Sequence, residues 1–159
     1  MWVMEPTDVT PLDCGPAGVG RQVVVDAEPH EIFALLVNPH RHHELDGSGT
    51  VQPEVIGPRD LEQGDRFRVS MKMFGVPYAM TNTVTRLERD RLIEWRLPAG
   101  HRWRWELEPL DQGRTRVTEV YDESGSTLPP LLRLIRAKDR NTVGIEKSLR
   151  RLRKRFARP

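Results

Sequence analysis

Three polar side chains in this sequence stand where chemistry could be done inside a core: Asn82, Glu119 and Tyr121. Tyr78–Leu87 alternates, with Tyr78, Met80, Asn82 and Val84 set against Thr81, Thr83 and Thr85. Thr115–Tyr121 does the same, with Val117, Glu119 and Tyr121 set against Arg116, Thr118 and Val120. A strand sends successive side chains to opposite faces, so all three polar residues share a face with apolar neighbours. A buried polar group left unpaired costs about 1–3 kcal/mol, so each needs a partner or a task. Glu119 is the most consequential, because desolvation would raise its pKa and suit it to general acid or base work. The plainer reading of all three is a structural hydrogen bond. By the same alternation Arg102, Arg104 and Arg116 project to the other face, so Glu119 is expected to lack an arginine partner.

The inward phases of the strands carry Phe67, Val69, Met71, Met73, Met80, Trp95, Trp103 and Trp105. Methionine adapts to irregular partners, and tryptophan offers a flat apolar wall with a polar N–H. Roofed by Ile145 and Leu149 from the last helix, these residues are expected to enclose a ligand cavity, against the plainer reading that they simply fill the core. His40, His42 and His43 invite a metal reading, but zinc needs three or four converging ligands. Glu44 points elsewhere if His40 and His43 share a helical face, so the histidines are read as solvated on a surface turn and no metal is expected. No Ser-His-Asp spacing, P-loop or dinucleotide fingerprint occurs, and no cofactor is expected.

These residues must be positioned by a sheet and a helix. From Asn141 to Phe156 the apolar residues Ile145, Leu149, Leu152 and Phe156 recur every three or four positions, one stripe of a helix whose other faces are basic. Burying that stripe needs a partner surface, which the alternating strands supply. Arg21–Asp26 reads as a first strand. A helix follows from Pro29, a residue suited to a first helical turn, through Ile32, Phe33, Leu36 and Val37. Asn38-Pro39 stops it, and a short helical turn over His40–Leu45 leads to the glycine-rich loop Asp46–Gly49. Strands then run from Thr50 through Asp65–Phe74, Tyr78–Leu87, Arg91–Leu97, His101–Leu107 and Thr115–Tyr121, joined by short turns. Leu128–Ile135 is either a separate short helix or the opening turns of the last one.

The 159 residues suit one domain over 19–159, preceded by a loose, proline-containing arm over 1–18. No run of eighteen apolar residues occurs, so no membrane insertion is expected, and the first residues do not resemble a signal peptide, which suggests a cytoplasmic protein. The lone Cys14 cannot form an internal disulfide. Residues 136–159 hold ten of the 25 basic and two of the 23 acidic residues, a balance of +8 against −6 elsewhere. The basic excess belongs to one helix, whose stripe is needed inside and which lacks aromatic stacking partners. It is read as a solvated face, and no nucleic-acid partner is expected.

The order of strand, two short helices, six-strand meander and long final helix resembles the START-like, helix-grip superfamily, and within it the polyketide cyclase/dehydrase branch of SRPBCC proteins. The likeness runs from about Arg21 to Phe156. It rests on Glu28-Pro29, Asn38-Pro39, DGSGTV at Asp46–Val51, Gly64–Phe67, LIEWR at Leu92–Arg96, WRWELE at Trp103–Glu108, GRTRVT at Gly113–Thr118 with Tyr121-Asp122, and Asn141–Leu152. The resemblance implies an α+β fold in which a curved antiparallel sheet of about seven strands wraps the C-terminal helix. It also implies a cavity for an apolar or amphipathic small molecule such as a lipid, polyketide or aromatic metabolite. Members include carriers, sensors and enzymes, and fold alone does not choose among them. The alternatives are a cyclase or dehydratase using Glu119, Tyr121 and Asn82, and an interaction protein using the basic helix.

Overall fold

The period-two stretches form six consecutive strands: β3 (Val51–Ile56), β4 (Arg66–Met73), β5 (Val76–Glu88), β6 (Leu92–Arg96), β7 (Arg102–Pro109) and β8 (Thr115–Asp122). The computed structural model describes residues 8–159, so residues 1–7 of the expected arm lie outside the described residues. β1 (Thr10–Leu12) and β2 (Gly18–Val25) complete one antiparallel sheet in the order β1-β2-β8-β7-β6-β5-β4-β3. The expected looseness of 8–18 gives way at Thr10–Leu12, which pairs with Gly20–Gln22 and makes eight strands rather than about seven. Its Pro11 hid that strand from the sequence pattern, yet proline is tolerated at an edge, where its missing N–H removes no ladder bond. The opposite edge, β3, carries Pro53 and an irregular register between Val51 and Val55.

Helix α1 (Pro29–Leu36) opens with Pro29, and the Glu28 N–H donates to Glu31 Oε2 at 2.8 Å. It ends before Asn38-Pro39, where the Asn38 side chain accepts the His40 N–H at 3.1 Å. A 3₁₀ turn (Pro39–Arg41) and the short α2 (His42–Leu45) follow. Near the C-terminus α3 (Pro129–Leu134) is separate from α4 (Ala137–Arg155), because Arg136 adopts a left-handed φ of 55° between them. Helix α4 therefore begins four residues before the expected Asn141.

The stripe of α4 forms the centre of the core: Ile145, Leu149 and Leu152 are fully buried in one cluster with Val23 and Val25 of β2, Ile32, Phe33 and Leu36 of α1, and Val117 of β8. Burial of each such side chain contributes about 1.5–3 kcal/mol. The Asp46–Gly49 loop lies directly on the same helix. A Cβ on Gly47 would stand 2.5 Å from Ser148 N and 2.6 Å from Gly144 O, so only glycine fits. The Gly47 N–H donates to Ser148 Oγ at 2.8 Å.

The basic face of α4 is interrupted rather than free. Arg150 pairs with Asp8 (3.2 Å) and Glu146 (3.8 Å), Arg155 with Glu44 (3.1 Å), and Arg151 donates to the Asp46 carbonyl. The continuous, unpaired cluster that an interaction surface would need is absent among the described residues.

Candidate functional site

Between the inner face of the sheet, α2, the Asp46–Val51 loop, α3 and α4 lies a cavity of about 430 Å³. Phe67, Val69, Met71, Met73, Met80, Asn82, Trp95, Trp103, Trp105, Glu119 and Tyr121 all line it, carried there by the inward phases of β4 to β8. Cross-strand register sets Trp95 opposite Trp103, Trp103 opposite Tyr121, and Trp105 opposite Glu119. Ile145 and Leu149 do not line the cavity, against expectation: their stripe is turned toward β2 and β8 and is wholly consumed by the core. The helix shows the cavity a neighbouring face instead, through Ala137, Arg140, Asn141 and Ser148.

Glu119 is buried at the cavity wall, where Trp103 Nε1 donates to Oε1 at 2.9 Å. Its Oε2 has no hydrogen-bond partner, and among the described residues no arginine pairs with it. Burial pushes the carboxyl well above the usual carboxylate range, more strongly than the tryptophan bond pulls it down, and Asp46 adds a smaller push in the same direction. The acid is thereby favoured in its neutral form, with an Oε2–H to donate. Arg102 and Arg104 lie on the outer face, each 3.5 Å from Glu94, a buried carboxylate that also accepts the Thr85 hydroxyl at 2.9 Å.

Asn82 is buried with Oδ1 unpartnered, and so is His101, whose Nδ1 has no partner and whose ring meets Tyr121 edge-on at 5.7 Å. Desolvation depresses the His101 pKa. Tyr121 differs from these. Its hydroxyl donates to Glu123 Oε2 at 2.8 Å, and burial followed by that carboxylate raises the phenol pKa. A phenol whose proton is engaged and firmly held is a poorer catalyst than Glu119.

His42 was expected on a solvated turn and is instead part of the wall. Its Nε2 lies 2.7 Å from the Leu36 carbonyl, which leaves Nε2 as the donor, and its ring stacks on Trp95 at 5.1 Å and meets Phe67 edge-on at 5.7 Å. Burial depresses its pKa to about 4. His40 likewise bonds inward, with Nε2 2.9 Å from the Gly57 carbonyl. No signal in HRHHEL marks His42 for burial, because Trp95 and Phe67 lie far along the chain. His101 stands at a strand's start, and its inward phase, shared with Trp103 and Trp105, is the sequence signal that marks it as a wall residue.

The family described as polyketide cyclase / dehydrase and lipid transport matches residues 16–157. The chain belongs to that family. A Mycobacterium tuberculosis relative of this polyketide cyclase/dehydrase-family chain, uncharacterized protein Rv0088, is 44% identical over 155 residues, covering 94% of this chain and 69% of its own length. A Rhodobacter sphaeroides protein of solved structure superposes with a TM-score of 0.70 at 15% identity, covering 93% of this chain and 97% of that one. The di-domain ARO/CYC BexL, from the BE-7585A biosynthetic pathway, superposes with a TM-score of 0.61 at 20% identity, over 86% of this chain and 45% of BexL. At these identities the two structures share the fold.

Proposed function

We propose that this protein binds a largely apolar small molecule, of lipid, polyketide or aromatic character, in the cavity between the sheet and α4. The observation that carries this reading is a cavity of about 430 Å³ walled by methionines and tryptophans, with three buried polar atoms, Asn82 Oδ1, His101 Nδ1 and Glu119 Oε2, left without partners. The volume falls within the range typical of small-molecule sites. Each orphan atom costs about 1–3 kcal/mol in the empty protein, which a ligand's polar groups would recover. The test is a titration with a panel of fatty acids and aromatic polyketides, followed by tryptophan emission and thermal unfolding. Ligand entry beside Trp95, Trp103 and Trp105 shifts or quenches emission and raises the melting temperature; a panel that moves neither removes the proposal.

One observation favours a second reading, an enzyme of cyclase or dehydratase type: Glu119 is a buried carboxyl, its pKa raised by burial, with a free Oε2 at the wall. As the enol form of one ketone in a poly-β-keto chain attacks the carbonyl carbon of another, the attacked C=O would open and take the Glu119 proton to become a hydroxyl. The enol O–H proton, released as its own carbonyl re-forms, would return to Glu119 through solvent. The ARO/CYC name of a fold neighbour supports the same direction. Turnover of a poly-β-keto thioester by the parent, lost in Glu119→Gln, would establish it, whereas equal product with both proteins would leave binding as the function.

A further inference from the structure

His42 occupies an unusual position among the wall residues. The Leu36 carbonyl can only accept, so the proton of the neutral ring resides on Nε2 and Nδ1 carries a lone pair. Trp95 covers one face of the ring at an interplanar angle of 20°, and Phe67 closes another side edge-on at 84°. Nδ1 is the ring's one remaining polar position, and nothing in the protein bonds to it. Turning the ring over about Cβ–Cγ would put Cε1 in place of Nε2 and leave the Leu36 carbonyl, at the end of α1, unpaired.

We propose that His42 determines ligand specificity in this cavity, presenting Nδ1 as a fixed acceptor that selects flat, apolar molecules bearing a hydroxyl donor. The proposal rests on the reading of the cavity as a binding site. Trp95, Trp103 and Trp105 supply flat walls, and the neighbouring charged groups do not cancel the acceptor. Burial, with His40 and His43 acting the same way, outweighs the Leu36 carbonyl and Asp46, which favour a protonated His42, and keeps the imidazole neutral near pH 7. An ether or methyl group placed at Nδ1 would leave the lone pair unsatisfied; a hydroxyl satisfies it.

The experiment uses a matched pair, 2-naphthol and 2-methoxynaphthalene, with protein labelled with ¹⁵N at histidine. Long-range proton–nitrogen spectra should show His42, identified by its loss in His42→Phe, as the Nε2–H tautomer, with Nδ1 shifting on addition of 2-naphthol and not of its ether. The parent should bind 2-naphthol about five- to tenfold more tightly than the ether, as one added hydrogen bond implies, and His42→Phe should erase that preference. Should the variant fail to fold, the parent's affinity ratio and nitrogen shifts decide alone. Equal binding of both compounds, or an Nδ1 that does not respond, overturns the role of His42 and leaves the cavity reading intact. Binding of neither compound overturns the role of His42, and if the fatty acids and aromatic polyketides are silent too, the cavity reading falls with it.

Discussion

Glu119 and His42 are two titratable groups that folding pushes toward neutrality from opposite sides, and each leaves a signature in stability. The folded pKa of Glu119 lies above its unfolded value, so its contribution is fully present below about pH 4.5 and is lost as pH rises through the folded pKa. Glu119→Gln keeps an acceptor for Trp103 and removes the titration. The variant should match the parent near pH 4 and become the more stable protein at high pH, by about 1.4 kcal/mol for each unit by which folding raises the carboxyl. Parallel melting curves across pH would refute this. His42 has the opposite sign: its pKa falls from 6.5 to about 4, so its stabilisation is present above pH 6.5 and disappears as pH falls through 4. The acid limb should cost about 3 kcal/mol, and a flatter limb in His42→Phe checks it. The inward placement of Glu119, free of arginine, was legible because alternation in WRWELE and TRVTEVY assigns every side chain a face. That of His42 was not, since its place in the wall depends on aromatic residues that only the folded sheet brings to it.

At the scale of elements, α4 divides its work between two faces one position apart. The stripe of Ile145, Leu149 and Leu152 belongs to the core, while Ala137, Asn141 and Ser148 turn to the cavity. Leu149→Asp would bury an unpaired charge at several kcal/mol and should abolish cooperative unfolding. A sharp thermal transition near the parent's would contradict the packing described here. The period of the helix was visible in the sequence, yet periodicity gives a direction and not a neighbour. It therefore identified the buried stripe without showing that β2 and β8 fill the space beneath it. The contact between the Asp46–Gly49 loop and α4 belongs to the same class of unreadable facts. Gly47→Ala drives a Cβ into the helix backbone, so it should destabilise the protein by about 1–3 kcal/mol by denaturant unfolding. An unchanged midpoint would mean that the loop does not rest on the helix.

At the scale of the whole molecule, the eight-stranded sheet brings residues from β4 to β8, α2, α3 and α4 to one cavity, with Arg140 at its wall set 4.4 Å over the ring of Phe74 at the β4–β5 turn. The order of the meander was legible from turn residues and alternation. The eighth strand was not, because a three-residue segment centred on Pro11 carries no period. The two prolines of the outermost described strands have a consequence for how molecules of this protein meet one another. An open sheet exposes unpaired backbone groups along its margins, a template on which another chain can add itself. Pro11 removes a donor from one margin, and Pro53, with the irregular register beside it, spoils the other. Growth of the sheet from molecule to molecule is thus blocked at its starting point. Pro53→Thr restores a donor to β3 and should produce concentration-dependent assembly, seen as rising light scatter at protein concentrations where the parent stays clear. If the variant also stays clear, the margin is guarded by something other than its proline.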